Sequence, residues 1–189
     1  MVTVGNPLSR FVEVGLLSDW LSRQRLEAAR PHLKGRVLDF GCGTGNLADI
    51  CDPAAYVGVD IAVHRIEAAR QLRPRYRFET AVPEGERFDT VVALAFIEHV
   101  HDPADYLRQF AAMLSSGGRI ILTTPHPSLE WVHTAGGRVG LFSRTAHDEH
   151  EDLIDRARME ELLSGTGMRL TVYRRFLFGA NQLFVITSD

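Results

Sequence analysis

Val37-Leu38-Asp39-Phe40-Gly41-Cys42-Gly43-Thr44-Gly45 is the stretch whose reading decides the fold. Its first part, from Arg36 to Phe40, is apolar enough to predict a strand. The three glycines that follow, spaced G-x-G-x-G, remove the side chains that would stop a backbone turning sharply or approaching a ligand closely. Asp39 lies just before this turn, where it can orient the loop and meet an ammonium group. Cys42 is read as a small residue filling the loop. A second predicted strand, Ala55 to Asp60, ends YVGVD on a carboxylate. In a parallel sheet the strand ends share one edge, so Asp60 points into the crevice above the glycines. There it can accept hydrogen bonds from both hydroxyls of a ribose. Ile61 supplies an apolar wall for an adenine, and the whole reads as a nucleoside-binding cleft.

Outward from this loop, further strands are expected at Tyr76 to Thr80, Asp89 to Ala95 and Arg119 to Thr124, with helices filling the gaps. That is the alternation of βαβ units wound into a parallel sheet. The best-marked helix has Asp102 as N-cap, Pro103 at the first helical position and an apolar repeat at Leu107, Phe110, Ala111 and Leu114; Ser115 to Gly118 ends it. A helix from Ile154 to Ser164 closes at Gly165 and Gly167. Strands Arg169 to Phe176 and Gln182 to Thr187, joined through Gly179-Ala180-Asn181, form an antiparallel hairpin. Ahead of everything, Leu17 to Arg30 reads as a helix with Leu17, Trp20 and Leu21 on its apolar side, ended by Pro31, packing over the sheet edge or the cleft.

The 189 residues, 45% hydrophobic, suit one core. Residues 1–189 are therefore expected to form a single domain: a helical cover over 1–34, a cofactor-binding half over 35–124, a substrate loop or lid over 125–152, and a helix with hairpin over 153–189. The lid is expected because a long aperiodic stretch inside a compact domain is usually functional. A net charge of −3 gives no global positive field, so neither nucleic acid nor a membrane is an expected partner. Two cysteines are too few for a disulfide framework, and no signal peptide or long apolar run is visible; a cytoplasmic protein is expected.

Dinucleotide enzymes carry G-x-G-x-x-G, whereas here the third glycine falls one residue early and Asn46 stands in its place. An NAD-dependent oxidoreductase is therefore the weaker alternative. VLDFGCGTG, the acid at Asp60, FDTVVALAFIEHV and SSGGRIILTTPHP together resemble the successive motifs of class I S-adenosylmethionine-dependent methyltransferases, over about Gly35 to Asp189. The resemblance implies a Rossmann-like α/β fold: a doubly wound, seven-stranded, mostly parallel sheet with an antiparallel last strand and helices on both faces. It implies S-adenosylmethionine as cofactor, with Gly41, Gly43 and neighbouring backbone (Cys42, Gly45) along its methionine part and Asp60 on the ribose. Thr80 or Ala81 would face the adenine, and Ala95 and Phe96 would close over the sulfonium.

Methyl transfer needs positioning and, for a hydroxyl acceptor, a group that takes the proton. Glu98 and His99 follow the fourth strand, and their EHV segment resembles that of small-molecule O-methyltransferases, including ubiquinone-biosynthesis enzymes. His126, fixed between Pro125 and Pro127, reaches the same rim. His147 and His150 in AHDEHED have carboxylate neighbours that could raise their pKa. His101 and Asp102 read as a polar loop and a helix cap. Trp131, Leu141 and Phe142 could form an apolar acceptor pocket or anchor the lid. The expected reaction is methylation of a small-molecule hydroxyl with His126 or His99 as proton acceptor. The alternatives are a noncatalytic S-adenosylmethionine-binding protein and a metal-assisted RNA ribose 2'-O-methyltransferase. Members of that last family use two Glu and two His as metal ligands; this chain has Ala95 in place of the first Glu, so no metal is expected. Arg70, Arg73, Arg75 and Arg77 read as a solvated connection rather than a phosphate patch.

Overall fold

The computed structural model describes residues 7–127 and 154–188, with side chains from Ser18 onward. Seven strands form one sheet in the order β3-β2-β1-β4-β5-β7-β6: β1 Val37–Phe40, β2 Tyr56–Val59, β3 Arg77–Glu79, β4 Phe88–Leu94, β5 Leu114–Pro125, β6 Met168–Phe176 and β7 Asn181–Ser188. Strands β1 to β5 pair in parallel, and β7 is antiparallel to both its neighbours. The order reverses between β1 and β4, so the crevice for a ligand opens at the carboxyl ends of those strands. This is the expected Rossmann-like sheet with its terminal hairpin.

Side chains alternate between two cores, as a strand requires. Leu38, Val91, Ala93, Ile120 and Leu122 meet Leu107 and Phe110 of α3 (Pro103–Met113) and Met159 and Leu163 of α4 (Arg156–Leu163). On the other face Val37, Val92 and Ile121 meet Ala29 of α1 (Pro7–Ala29) and Ile66 and Ala69 of α2 (Val63–Leu72). Each fully buried Leu or Phe side chain stabilises this sandwich by roughly 2 kcal/mol.

Four expectations need correcting. Helices do not fill every gap: β1 and β2 are joined through the 3₁₀ turns Asn46–Ile50 and Pro53–Ala55, and β3 and β4 by a tight turn. Leu114 to Gly118 belong to β5 rather than to the helix or its end, because Leu114 pairs with Phe88 and the Ser115 hydroxyl donates to Asp89 Oδ1 at 2.6 Å, tying the segment to β4. The first helix begins at Pro7, and Trp20 on it is 46% exposed; Leu26, Ala28 and Ala29 turn inward instead. Three of the four arginines of the 70–77 run are engaged rather than merely solvated. Arg70 donates to the Phe78 carbonyl, Arg77 pairs with Glu79 and Glu86, and Arg73 pairs with Asp49.

Candidate cofactor cleft and acceptor rim

The glycine loop is held to the strand beside it. The amides of Gly41 and Cys42 both donate to the Val59 carbonyl, at 2.8 and 2.9 Å. Asp60, only 8% exposed, accepts the Gly43 amide on Oδ2 and the Ala62 amide on Oδ1, each at 2.9 Å. Each carboxylate oxygen has two acceptor positions, so Oδ1 keeps one for a ligand, while Oδ2 also faces the Arg65 guanidinium at 3.8 Å, itself part of the cavity lining. The backbone at Gly45 has φ +85°, and a Cβ there would lie 2.5 Å from the Phe78 ring. At Gly41 a Cβ would meet Phe96 at 2.9 Å. Any other residue at these two positions would strain the backbone and push an aromatic ring aside.

A cavity of about 570 Å³ opens over this edge. Asp60, Ile61, Thr80 and Ala81 border one end of it; Gly41, Ala95, Phe96 and His99 border the other. All eight were singled out from sequence. Ile61 is 92% exposed, an apolar side chain without protein cover. Val82, Tyr106, Gln109 and Met113 also line the cavity, and sequence reading missed them. The apolar periodicity of α3 was the available signal, since Tyr106, Gln109 and Met113 follow one face of that helix. Phe40, Phe96, Tyr106 and Phe110 form an edge-to-face aromatic cluster beneath the cavity. Ala95 has φ +51°, a left-handed conformation for a residue with a side chain, at the point where β4 enters the cavity.

Asp39, Cys42, Gly43 and Gly45 lie outside the cavity lining. Asp39 accepts a 2.7 Å hydrogen bond from the Tyr56 hydroxyl, and burial pushes its pKa up to about 7, with the charge of Asp60 adding to the rise and the Tyr56 bond opposing it. Burial likewise raises the Cys42 thiol, helped by Asp39 and Asp60, leaving it an inert filler.

The candidate acceptor rim lies at the ends of β4, β5 and β7. His99 is exposed to the cavity, whereas Glu98, its neighbour on the 3₁₀ turn Ile97–His99, turns inward. The Glu98 Oε2 atom is buried without a hydrogen-bond partner among the described residues. Burial raises the pKa of this acid, with His99, Arg25 and Thr124 pulling it back. Arg25, on α1, donates to Asn181 Oδ1 at 3.1 Å, and burial lowers its guanidinium while the charge of Glu98 opposes. Arg25 and Asn181 were missed from sequence; no local pattern links residues so far apart. The His126 amide donates to the Ala180 carbonyl at 2.9 Å, docking it on the β6–β7 turn. Burial and Arg175 lower the pKa of the His126 imidazole, with Asp155 opposing, so the ring is neutral at neutral pH and able to take a proton. Asp102 caps α3 through the Asp105 amide, and His101 is exposed beside it. His147, His150, Trp131, Leu141 and Phe142 lie outside the described residues. Among the described residues no three His, Cys, Asp or Glu side chains converge as metal ligands, and no helix is long and apolar enough to cross a membrane.

A family model described as a methyltransferase domain matches residues 10–172. A ubiquinone biosynthesis O-methyltransferase of Chelativorans is 35% identical over 117 residues, covering 54% of this chain and 45% of that protein. Its counterpart from Azorhizobium caulinodans is 39% identical over 127 residues, covering 60% and 50%. The chain thus spans about half the length of these curated relatives. Among solved structures, magnesium protoporphyrin IX methyltransferase from Synechocystis with bound S-adenosylhomocysteine superposes with a TM-score of 0.61 at 20% identity, over 94% of this chain and 82% of that one. An S-adenosylmethionine-dependent methyltransferase from Mesorhizobium loti gives 0.65 at 16% identity, over 85% and 96%. At those identities the likeness is one of fold.

Proposed function

The chain belongs to the methyltransferase-domain family, and from that premise we propose that it transfers the methyl group of S-adenosylmethionine to a hydroxyl oxygen of a small molecule. The observation that carries the reading is the cavity bordered by the free lone pair of Asp60 Oδ1 at one end and by Ala95, Phe96 and His99 at the other. In this reading Asp60 accepts from the ribose hydroxyls, and Ile61, Thr80 and Ala81 hold the adenine. Gly41 borders the cavity with no side chain in the way of the methionine part, and the backbone of Cys42, Gly43 and Gly45 supports it from behind. Asp39 acts behind them by holding the loop.

The cofactor supplies an electrophilic methyl on sulfonium; the acceptor oxygen forms a C–O bond as the C–S bond breaks, and the acceptor's proton leaves to a base. His99, which faces the cavity, and His126, whose imidazole is held neutral by burial and Arg175, are our candidates to take that proton. Glu98, turned inward beside Arg25 and outside the cavity lining, supports the rim from behind His99. His147 and His150, outside the described residues, stay as further candidates. A ring or chain carrying a hydroxyl, such as a quinone precursor, fits a cavity floored by Phe40, Phe96 and Tyr106.

Titration calorimetry with S-adenosylhomocysteine and with NAD separates this reading from a dinucleotide enzyme: binding of the first and not the second is expected. Mass spectrometry on a panel of phenols, catechols and sugars should then reveal a product heavier by one methylene. His99→Ala or His126→Ala should lower turnover by about a hundredfold or more with S-adenosylhomocysteine affinity unchanged. Full turnover in both variants would sink the assignment of the base. Tight binding without product from any acceptor would favour a noncatalytic binding protein.

A further inference from the structure

Arg73 closes α2, and its side chain reaches back across the sheet edge to the outer side of the glycine loop. Nη1 donates to the Thr44 carbonyl at 3.0 Å, and Nη2 to Asn46 Oδ1 at 3.3 Å. Nε and Nη2 hold both oxygens of Asp49, at 2.8 and 2.6 Å. The side chain is only 15% exposed, although Asp49 is 58% exposed. Four of the five guanidinium donors are thus used: one fork grips a carboxylate on the Asn46–Ile50 turn, and two further donors reach Thr44 and Asn46. On the inner side Asp60 holds the Gly43 amide. The peptides between Gly43 and Asn46 are therefore pinned from both sides, at Gly43 N by Asp60 and at Thr44 O by Arg73.

We propose that Arg73 is a positioning residue that sets cofactor affinity without touching the cofactor. The inference rests on the glycine loop being the cofactor's cradle, as argued above. A loop built on left-handed glycines is entropically loose, and a ligand that must order it binds more weakly. When a ribose shares Asp60, the inner tether is divided between loop and ligand; the outer one is untouched. Arg73 thereby keeps the loop in its binding conformation before and after the cofactor arrives.

The test uses the full chain at 25 °C. Calorimetric titration with S-adenosylhomocysteine should show about tenfold weaker binding for Arg73→Gln. Arg73→Lys, which keeps the charge but loses the fork, should lie between it and the unaltered protein. Arg156→Gln, which removes an exposed ion pair to Glu160 on α4, should bind within about twofold of the unaltered protein. Amide hydrogen exchange of residues 43–46 without ligand should accelerate in both Arg73 variants. A folded Arg73→Gln or Arg73→Lys protein with unchanged affinity and unchanged loop exchange would overturn the proposal, and a lowered Tm alone would assign Arg73 to stability. If the unaltered chain fails to bind S-adenosylhomocysteine, the cofactor reading falls, and loop exchange still decides whether Arg73 holds the loop.

Discussion

On the β1–β2 side of the cleft Asp39, Asp60 and Arg73 each have protein partners, whereas on the β4–β5–β7 side Glu98 Oε2 and Thr123 Oγ1 are buried with no hydrogen-bond partner among the described residues. The first region is assembled from residues 39 to 73 and is complete before any ligand arrives. The second is assembled from residues spread from Arg25 to Asn181, and it includes buried polar atoms that the described residues leave unpaired. A preformed site suits a ligand that never changes; an incomplete one suits a ligand that completes it. In the function proposed above, the methyl donor binds on the first side of the sheet switch point and the acceptor on the second.

The strongest way to break the contrast is Asp60→Ala. It removes the loop tether and the ribose acceptor together, and a hydrogen bond to a charged group contributes roughly 1.5–3 kcal/mol. S-adenosylhomocysteine binding should weaken by about a hundredfold or more, measured by calorimetry. A loss below about threefold would mean that the donor side is not where the cofactor sits.

Asp39→Asn probes the same side through stability. The carboxyl of Asp39 is pushed up to about 7 in the folded chain, above its ordinary value of 3.8. A raised pKa means that the folded form holds the proton more tightly, so the contribution is present below pH 4 and is lost as pH rises through 7. Asparagine still accepts from Tyr56 and does not titrate. The variant should therefore gain stability relative to the unaltered chain between pH 4 and 7, by at most about 4 kcal/mol, as the shift of about 3 units allows. The acids with lowered pKa, Glu86 and Asp89, cancel in this difference. Thermal unfolding at pH 5 and pH 8 checks it; a difference independent of pH would show that Asp39 is ionised throughout.

The two regions also differ in how far they can be read from sequence. The glycine loop and Asp60 are legible because strand, turn and strand follow in order, and parallel strands bring their ends to one edge. Arg73 is not, since an arginine in a connection looks the same whether it is solvated or grips a carbonyl 29 residues away. Arg25 and Asn181 are 156 positions apart, and no local pattern couples them. The run at Ser115 to Gly118 misleads because two serines and two glycines mimic a helix end; the hydroxyl bond to Asp89 that makes it strand is a tertiary event. Trp20 misleads in the opposite sense, its apolar bulk predicting burial on a face where small alanines meet the core.

Ala95 stands where the two regions meet, and it gives the smallest effect. Its amide donates to the Thr123 carbonyl at 2.8 Å, and its φ of +51° places a β-carbon where sterics disfavour one, at a cost of about 1–2 kcal/mol. Glycine would relieve that strain but lose about 0.5–1 kcal/mol to the freedom of the unfolded chain. The net expectation for Ala95→Gly is a gain of about 0.5 kcal/mol, a rise in Tm of roughly 1–2 °C. The same freedom loosens the backbone that enters the cavity, so S-adenosylhomocysteine should bind about twofold more weakly. Opposite signs for stability and affinity would mark the left-handed turn as strain kept for function. A Tm that falls would instead mean that the Thr123 hydrogen bond and the burial around Ala95 already outweigh the strain.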